Sequence, residues 1–113
     1  MNTITTHVLD TSLGRPAAGV AVALEQLDAR GGSKVVGNGL TDADGRVRDL
    51  VAADKPLTPG DYRLRFETGE YFARDGREAF YPVVDVCFTI VAEGHYHVPL
   101  LLNPFGYSTY RGS

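Results

Sequence analysis

Along nearly the whole chain, short runs of alternating apolar and polar residues are broken by turn residues about every ten positions. The clearest run sets Tyr62, Leu64 and Phe66 against Arg63, Arg65 and Glu67. Successive side chains of an extended strand point to opposite faces, so such a run is a strand buried on one side. Ile4, Thr6 and Val8 alternate in the same way with Thr5, His7 and Leu9, and Val20, Val22 and Leu24 with Ala21, Ala23 and Glu25. Lys34 to Thr41 reads as a weaker strand, diluted by Gly37 and Gly39, and Val83 to Val91, Gly94 to Leu102 and Tyr107 to Tyr110 complete the set. Gly14-Arg15-Pro16, Gly31-Gly32-Ser33 and the group Pro56, Pro59 and Gly60 mark connections. Asp42-Ala43-Asp44-Gly45 reads as a tight turn with a positive φ at Gly45, and Arg46 to Val51 as the returning arm of a hairpin. Only Thr68 to Gly76 has a helical composition, enough for about two turns. The pattern predicts an all-β, antiparallel sandwich of about eight strands with one short helix. No repeat, linker or low-complexity tract divides it, so residues 1–113 are expected to form one domain.

Charge and cysteine content narrow the function. Eleven Lys and Arg against fourteen Asp and Glu leave a net charge of -3, with no basic stripe for phosphate contacts, so no nucleic-acid partner is expected. The longest apolar stretches fall well short of the ~20 residues that span a bilayer, and Asp85 interrupts one of them. Met1 to His7 lacks a basic region followed by an apolar run, so no secretory signal is read there and a cytoplasmic protein is expected. Cys87 is the single cysteine, which leaves no intrachain disulfide and no cysteine-based zinc site. Between Val86 and Phe88 it is expected to be a buried, inert thiol.

Three histidines carry the candidate chemistry. His95 and His97 lie two apart on a predicted strand, so they share a face at a separation of roughly 7 Å. His7 lies on the non-core face of the first strand. Taken singly, each reads as a solvated strand residue. A pair on one face also suits proton transfer or metal binding, and spacing alone does not choose between them. Arg46, taken alone, is a surface cation near an acidic turn. Calcium is excluded at Asp42 to Gly45, because an EF-hand loop there would need acidic residues where Leu40 and Val51 stand. Serine-nucleophile, P-loop and dinucleotide motifs are absent.

Two long stretches at opposite ends resemble the signatures of the transthyretin family. The first is His7-Val8-Leu9-Asp10 with Gly14-Arg15-Pro16-Ala17 and Val20-Ala21-Val22; the second runs from Tyr96-His97-Val98-Pro99 through Asn103-Pro104-Phe105-Gly106-Tyr107-Ser108. Asn103 stands where that pattern most often has Ser. The family contains hormone carriers and purine-catabolic enzymes, the 5-hydroxyisourate hydrolases. Four positions resemble the enzymes: His7 where carriers have Lys, Arg46 after the Asp-Gly turn, His97 before Val-Pro, and the final Tyr110-Arg111-Gly112-Ser113.

The resemblance implies a transthyretin-like sandwich that hydrolyses 5-hydroxyisourate to 2-oxo-4-hydroxy-4-carboxy-5-ureidoimidazoline without cofactor or metal. It implies His97 as acid/base, with His7 orienting water or acting as the second acid/base; the exchanged roles fit equally well. Arg46 would bind the substrate and stabilise negative charge, and Tyr110, Arg111 and Gly112 would position the ring. Ser113 would offer its hydroxyl and a terminal carboxylate to the histidines. It also implies a homotetramer, a dimer of dimers, with the sites in a channel at the dimer–dimer interface. Two rivals remain: a small-molecule carrier using that channel, and a metal-binding protein using His7, His95 and His97. A 113-residue sandwich fills its own interior, so any site is expected outside the core, on a face that assembly encloses.

Overall fold

A computed structural model of the chain describes residues 3–48, 50–51 and 57–113. Nine strands and one helix follow in the order β1 (Thr3–Asp10), β2 (Arg15–Pro16), β3 (Ala21–Leu27), β4 (Ser33–Leu40), β5 (Arg46–Val47), β6 (Gly60–Phe66), α1 (Thr68–Ala73), β7 (Val84–Ile90), β8 (His95–Asn103) and β9 (Gly106–Thr109). They form two facing sheets, the all-β sandwich expected from the alternation. One sheet has the order β4-β3-β6-β7; the other runs β2-β1-β8-β9, with β5 also paired to β1. Among the described residues no helix is long and apolar enough to cross a membrane.

The alternation locates the core. Ile4, Val8, Leu24, Tyr62, Leu64, Phe66, Leu100 and Leu102 are all at most 2% exposed and meet between the sheets. Burying each of these side chains stabilises the fold by roughly 1.5–3 kcal/mol before the entropy of ordering is counted. Buried polar tips find partners nearby: the Tyr62 hydroxyl donates to the Thr58 carbonyl and the Tyr96 hydroxyl to the Ala92 carbonyl, both at 2.6 Å.

Beyond the sandwich, α1 has six residues, close to the two turns expected, and its Phe72 is buried. It is tied to the end of β1 through Asp10, whose side chain is fully buried. Tyr71 donates to Asp10 Oδ2 at 2.8 Å, Arg77 to the same oxygen at 3.0 Å, and Ser12 to Oδ1 at 2.5 Å. Burial pushes the Asp10 carboxyl up, but the hydrogen bonds from Ser12, Arg77 and Tyr71 outweigh it and hold the group below the usual carboxylate range.

Three expectations are corrected. The Asp42–Gly45 turn is present, with φ of +76° at Gly45, but the chain leaving it does not return along β4. It crosses to the opposite sheet, where β5 pairs antiparallel with β1, matching His7 to Arg46 and Thr6 to Val47. The glycines of β4 mark the crossing. A Cβ at Gly37 would overlap the Leu50 carbonyl, and one at Gly39 would meet Val47 Cγ1 at 2.9 Å. Second, β1 and β8 run parallel within an otherwise antiparallel pairing scheme. Third, Cys87 is exposed: Val84, Val86 and Ile90 fill the inward positions of β7, so Cys87 shares the outward phase with Asp85. The short β2 was not foreseen, and Pro56, one of the expected connection markers, lies outside the described residues.

Candidate active site

The parallel pairing of β1 with β8 builds the site. Its register sets Thr3 against His95, Thr5 against His97 and His7 against Pro99. Since Ile4, Thr6 and Val8 point inward on β1, and Tyr96, Val98 and Leu100 on β8, the residues between them share the outer face. β5 then adds Arg46 beside His7. Asp42 fixes where β5 begins: its carboxylate accepts from the backbone N–H of Arg46 at 3.0 Å and of Asp44 at 2.9 Å.

The result is a hollow of about 360 Å³, open to solvent and lined by Thr5, Thr6, Arg46, Val47, Arg48, His95, His97 and Ser113. Sites for small molecules commonly span roughly 300–1,000 Å³, so this one suits a compact ligand. The chain after β9 folds back across its rim. The N–H of Gly112 donates to the His97 carbonyl at 2.8 Å, forming an isolated antiparallel bridge. The approach is so close that a Cβ at position 112 would meet His97 Cδ2 at 2.5 Å and Pro99 Cγ at 3.2 Å. A glycine there lets the strand end seat His97 and bring Ser113 to the hollow.

Electrostatics single out His97. Burial lowers its pKa first, and the positive charge of Arg46, then His95 and His7, lower it further; a hydrogen bond with the Thr5 backbone acts weakly in the opposite sense. The imidazole is therefore neutral over a wider range than an ordinary histidine, as a base working near neutrality requires. Its Nδ1 lies 2.8 Å from Thr5 Oγ1. The His95 and His97 rings stack 6.2 Å apart and 10° from parallel.

Not every residue expected at the site faces this hollow. His97, Arg46 and Ser113 do, and Gly112 braces His97 from behind. His7 lies outside the lining, beside Arg46 and close enough to His97 to affect its proton affinity. Tyr110 and Arg111 turn away to a second hollow of about 280 Å³ between β7 and β8, where the Arg111 guanidinium sits 4.8 Å over the Tyr96 ring. Among the described residues only His97 lines both. Thr5 and Arg48, which line the hollow, are not marked as site residues by the sequence, although Thr5 lies in phase with His7. Among the described residues no three His, Cys, Asp or Glu side chains gather as a metal-ligand set.

The model of the HIUase/Transthyretin family matches residues 4–112. The chain belongs to that family. Within it, a 5-hydroxyisourate hydrolase of Salmonella dublin is 47% identical over 113 residues, covering 99% of this chain and 82% of the relative. The solved structure of Klebsiella pneumoniae 5-hydroxyisourate hydrolase superposes with a TM-score of 0.86 at 43% identity, covering 100% of this chain and 94% of the other. Sea bream transthyretin, solved in complex with thyroxine, superposes at 0.89 with 35% identity, covering 96% and 93%. The fold is thus common to both branches of the HIUase/Transthyretin family, and function has to be argued from the site.

Proposed function

We propose that this chain hydrolyses 5-hydroxyisourate to 2-oxo-4-hydroxy-4-carboxy-5-ureidoimidazoline. The observation that carries the reading is the partly buried His97 sharing one open hollow with Arg46, where burial and the guanidinium charge lower its proton affinity. Its relatives at about half identity, named as hydrolases of this substrate, support the same reaction.

Opening the ring hydrolyses an acyl–nitrogen bond. His97 takes a proton from water as the oxygen bonds to the ring carbonyl carbon. The carbonyl electron pair moves onto oxygen, where Arg46 stabilises it through charge-assisted hydrogen bonds. When the carbon–nitrogen bond breaks, His97 returns the proton to the departing nitrogen. General acid–base catalysis of this kind contributes roughly 10²- to 10⁴-fold. His7, beside Arg46, orients water or serves as the second acid/base, and Ser113 offers its hydroxyl to bound water or substrate. The scheme needs no cofactor or metal.

The active form proposed is a homotetramer, a dimer of dimers. Both sheets end in long or exposed edge strands, β7 and β9, whose free backbone groups suit pairing with a second copy. Facing dimers would then enclose the open hollow in a channel and exclude water. Tyr110 and Arg111, which face the second hollow, would position the ring of a substrate held by the neighbouring copy. Cys87, the single cysteine, suits a reducing cytoplasm.

Stopped-flow absorbance of freshly generated 5-hydroxyisourate tests the reading. The protein accelerates its decay, and a decay no faster than in buffer removes the proposal. Light scattering tests the assembly: four chains per particle are expected, and a monomer that retains full activity rules the tetrameric site out.

A further inference from the structure

One line of hydrogen bonds on the outer face of β1 and β8 has no part in the scheme above. Thr3 Oγ1 lies 2.7 Å from His95 Nδ1, Thr5 Oγ1 lies 3.3 Å from His95 Nε2, and the same Thr5 oxygen lies 2.8 Å from His97 Nδ1. The parallel register, Thr3 against His95 and Thr5 against His97, produces this alternation of hydroxyl and imidazole. A threonine hydroxyl has one proton to donate and lone pairs to accept with, so it can join two rings in only one sense at a time.

We propose that Thr5 is a positioning residue that sets the tautomer of His97 and links it to His95 as a proton relay. The inference rests on the hydrolase reading and deepens it. In the resting arrangement His97 Nδ1–H donates to Thr5 Oγ1, the Thr5 hydroxyl donates to His95 Nε2, and His95 Nδ1–H donates to Thr3 Oγ1. His97 Nε2 is then the unprotonated nitrogen, free to act as base. As Nε2 takes a proton from the attacking water, the Nδ1 proton passes to Thr5 and the Thr5 proton to His95 Nε2. His95 becomes the imidazolium and His97 stays neutral with its proton on Nε2. Delivery of that proton to the leaving nitrogen, with the reverse shift through Thr5, restores the starting state and conserves every proton. The charge is thereby held on the exposed ring of His95 instead of the more buried His97, which lies under the field of Arg46. Among the described residues, the other charged or titratable groups that line the same hollows as His97 or act on it are His7 from β1, Arg46 and Arg48 from the β5 segment, Cys87 from β7, Tyr96 on β8 itself, and Tyr110 and Arg111 after β9.

Thr5→Val keeps the side-chain shape and removes the hydroxyl, while Thr5→Ser restores it. Nitrogen-15 NMR of the imidazoles reads the tautomer without reference to turnover. It is expected to find Nδ1–H on His97 in the wild type and in Thr5→Ser, and a shift toward Nε2–H in Thr5→Val. In the stopped-flow assay Thr5→Val is expected to lower kcat about tenfold with KM little changed, and Thr5→Ser to recover most of it. His95→Asn is expected to lower kcat in the wild-type background and to have no further effect beside Thr5→Val, because both remove the same relay. An unchanged His97 tautomer in Thr5→Val, or additive effects of the two substitutions, overturns the relay. A wild-type protein that fails to hasten decay instead defeats the hydrolase reading, and the NMR result still decides whether Thr5 sets the tautomer.

Discussion

Replacing Gly112 by alanine separates positioning of His97 from stability of the fold. The new methyl carbon would sit 2.5 Å from His97 Cδ2 and 3.2 Å from Pro99 Cγ, where carbon atoms in contact ordinarily stand about 3.5–4.0 Å apart. Either the imidazole or the strand end must therefore move by about 1 Å. If the strand end lifts, the 2.8 Å hydrogen bond from Gly112 N–H to the His97 carbonyl goes with it, a loss of about 1 kcal/mol for a typical backbone bond. Such a loss lowers the melting temperature of a domain this size by about 4 °C. The chemical step is more sensitive, because misplacing a reacting group by about 1 Å can cost 10²-fold in rate. Gly112→Ala is expected to fold, to melt a few degrees early, and to lose about 10²-fold in kcat, read by stopped-flow decay of 5-hydroxyisourate beside a thermal melt. Wild-type kcat in a folded Gly112→Ala protein refutes the reasoning, since it means that turnover does not depend on where this contact seats His97.

Two further substitutions probe the charged groups. Asp10→Asn leaves Arg77 and Tyr71 facing an amide in place of a carboxylate at a buried site and should destabilise the fold by about 3 kcal/mol, measured by urea unfolding. Because the folded pKa of Asp10 lies below its unfolded value, its contribution is fully present above the usual carboxylate pKa and is lost as pH falls through the folded one; Asp10→Asn should lack that acid limb. Arg46→Met removes a positive charge that disfavours the imidazolium of His97, so the acid limb of the kcat/KM profile should move to higher pH while kcat/KM falls roughly 10²- to 10³-fold. An acid limb that stays in place or moves to lower pH contradicts the assignment of that limb to His97.

Local period was legible in the sequence and strand partnership was not. Tyr62, Leu64 and Phe66 announced both a strand and its buried face, because that information is written within six residues. The pairing of Thr5 with His97 joins positions 92 apart and leaves no mark on either run. The same limit explains the hairpin expected after Gly45: turn chemistry specifies a reversal, while the strand that receives the returning chain depends on which sheet it crosses to. Cys87 was misplaced because apolar residues occupy both phases of Val83 to Val91, although Asp85 in phase with Cys87 marked the outward side. Motif resemblance marked Arg46, His97 and Ser113, which the fold brings to one hollow, and His7, which lies beside it. The separation of Tyr110 and Arg111 from the hollow that holds Arg46 and Ser113 is not legible in the sequence, since it depends on how the chain turns after β9.

The central claim is that a neutral His97 in this hollow activates water for ring opening. Its most direct test is single-turnover decay of 5-hydroxyisourate by wild type and His97→Gln at neutral pH, with folding and assembly of both verified. The variant is expected to fall by at least about 10²-fold, toward the rate in buffer. A His97→Gln protein as fast as wild type contradicts the account.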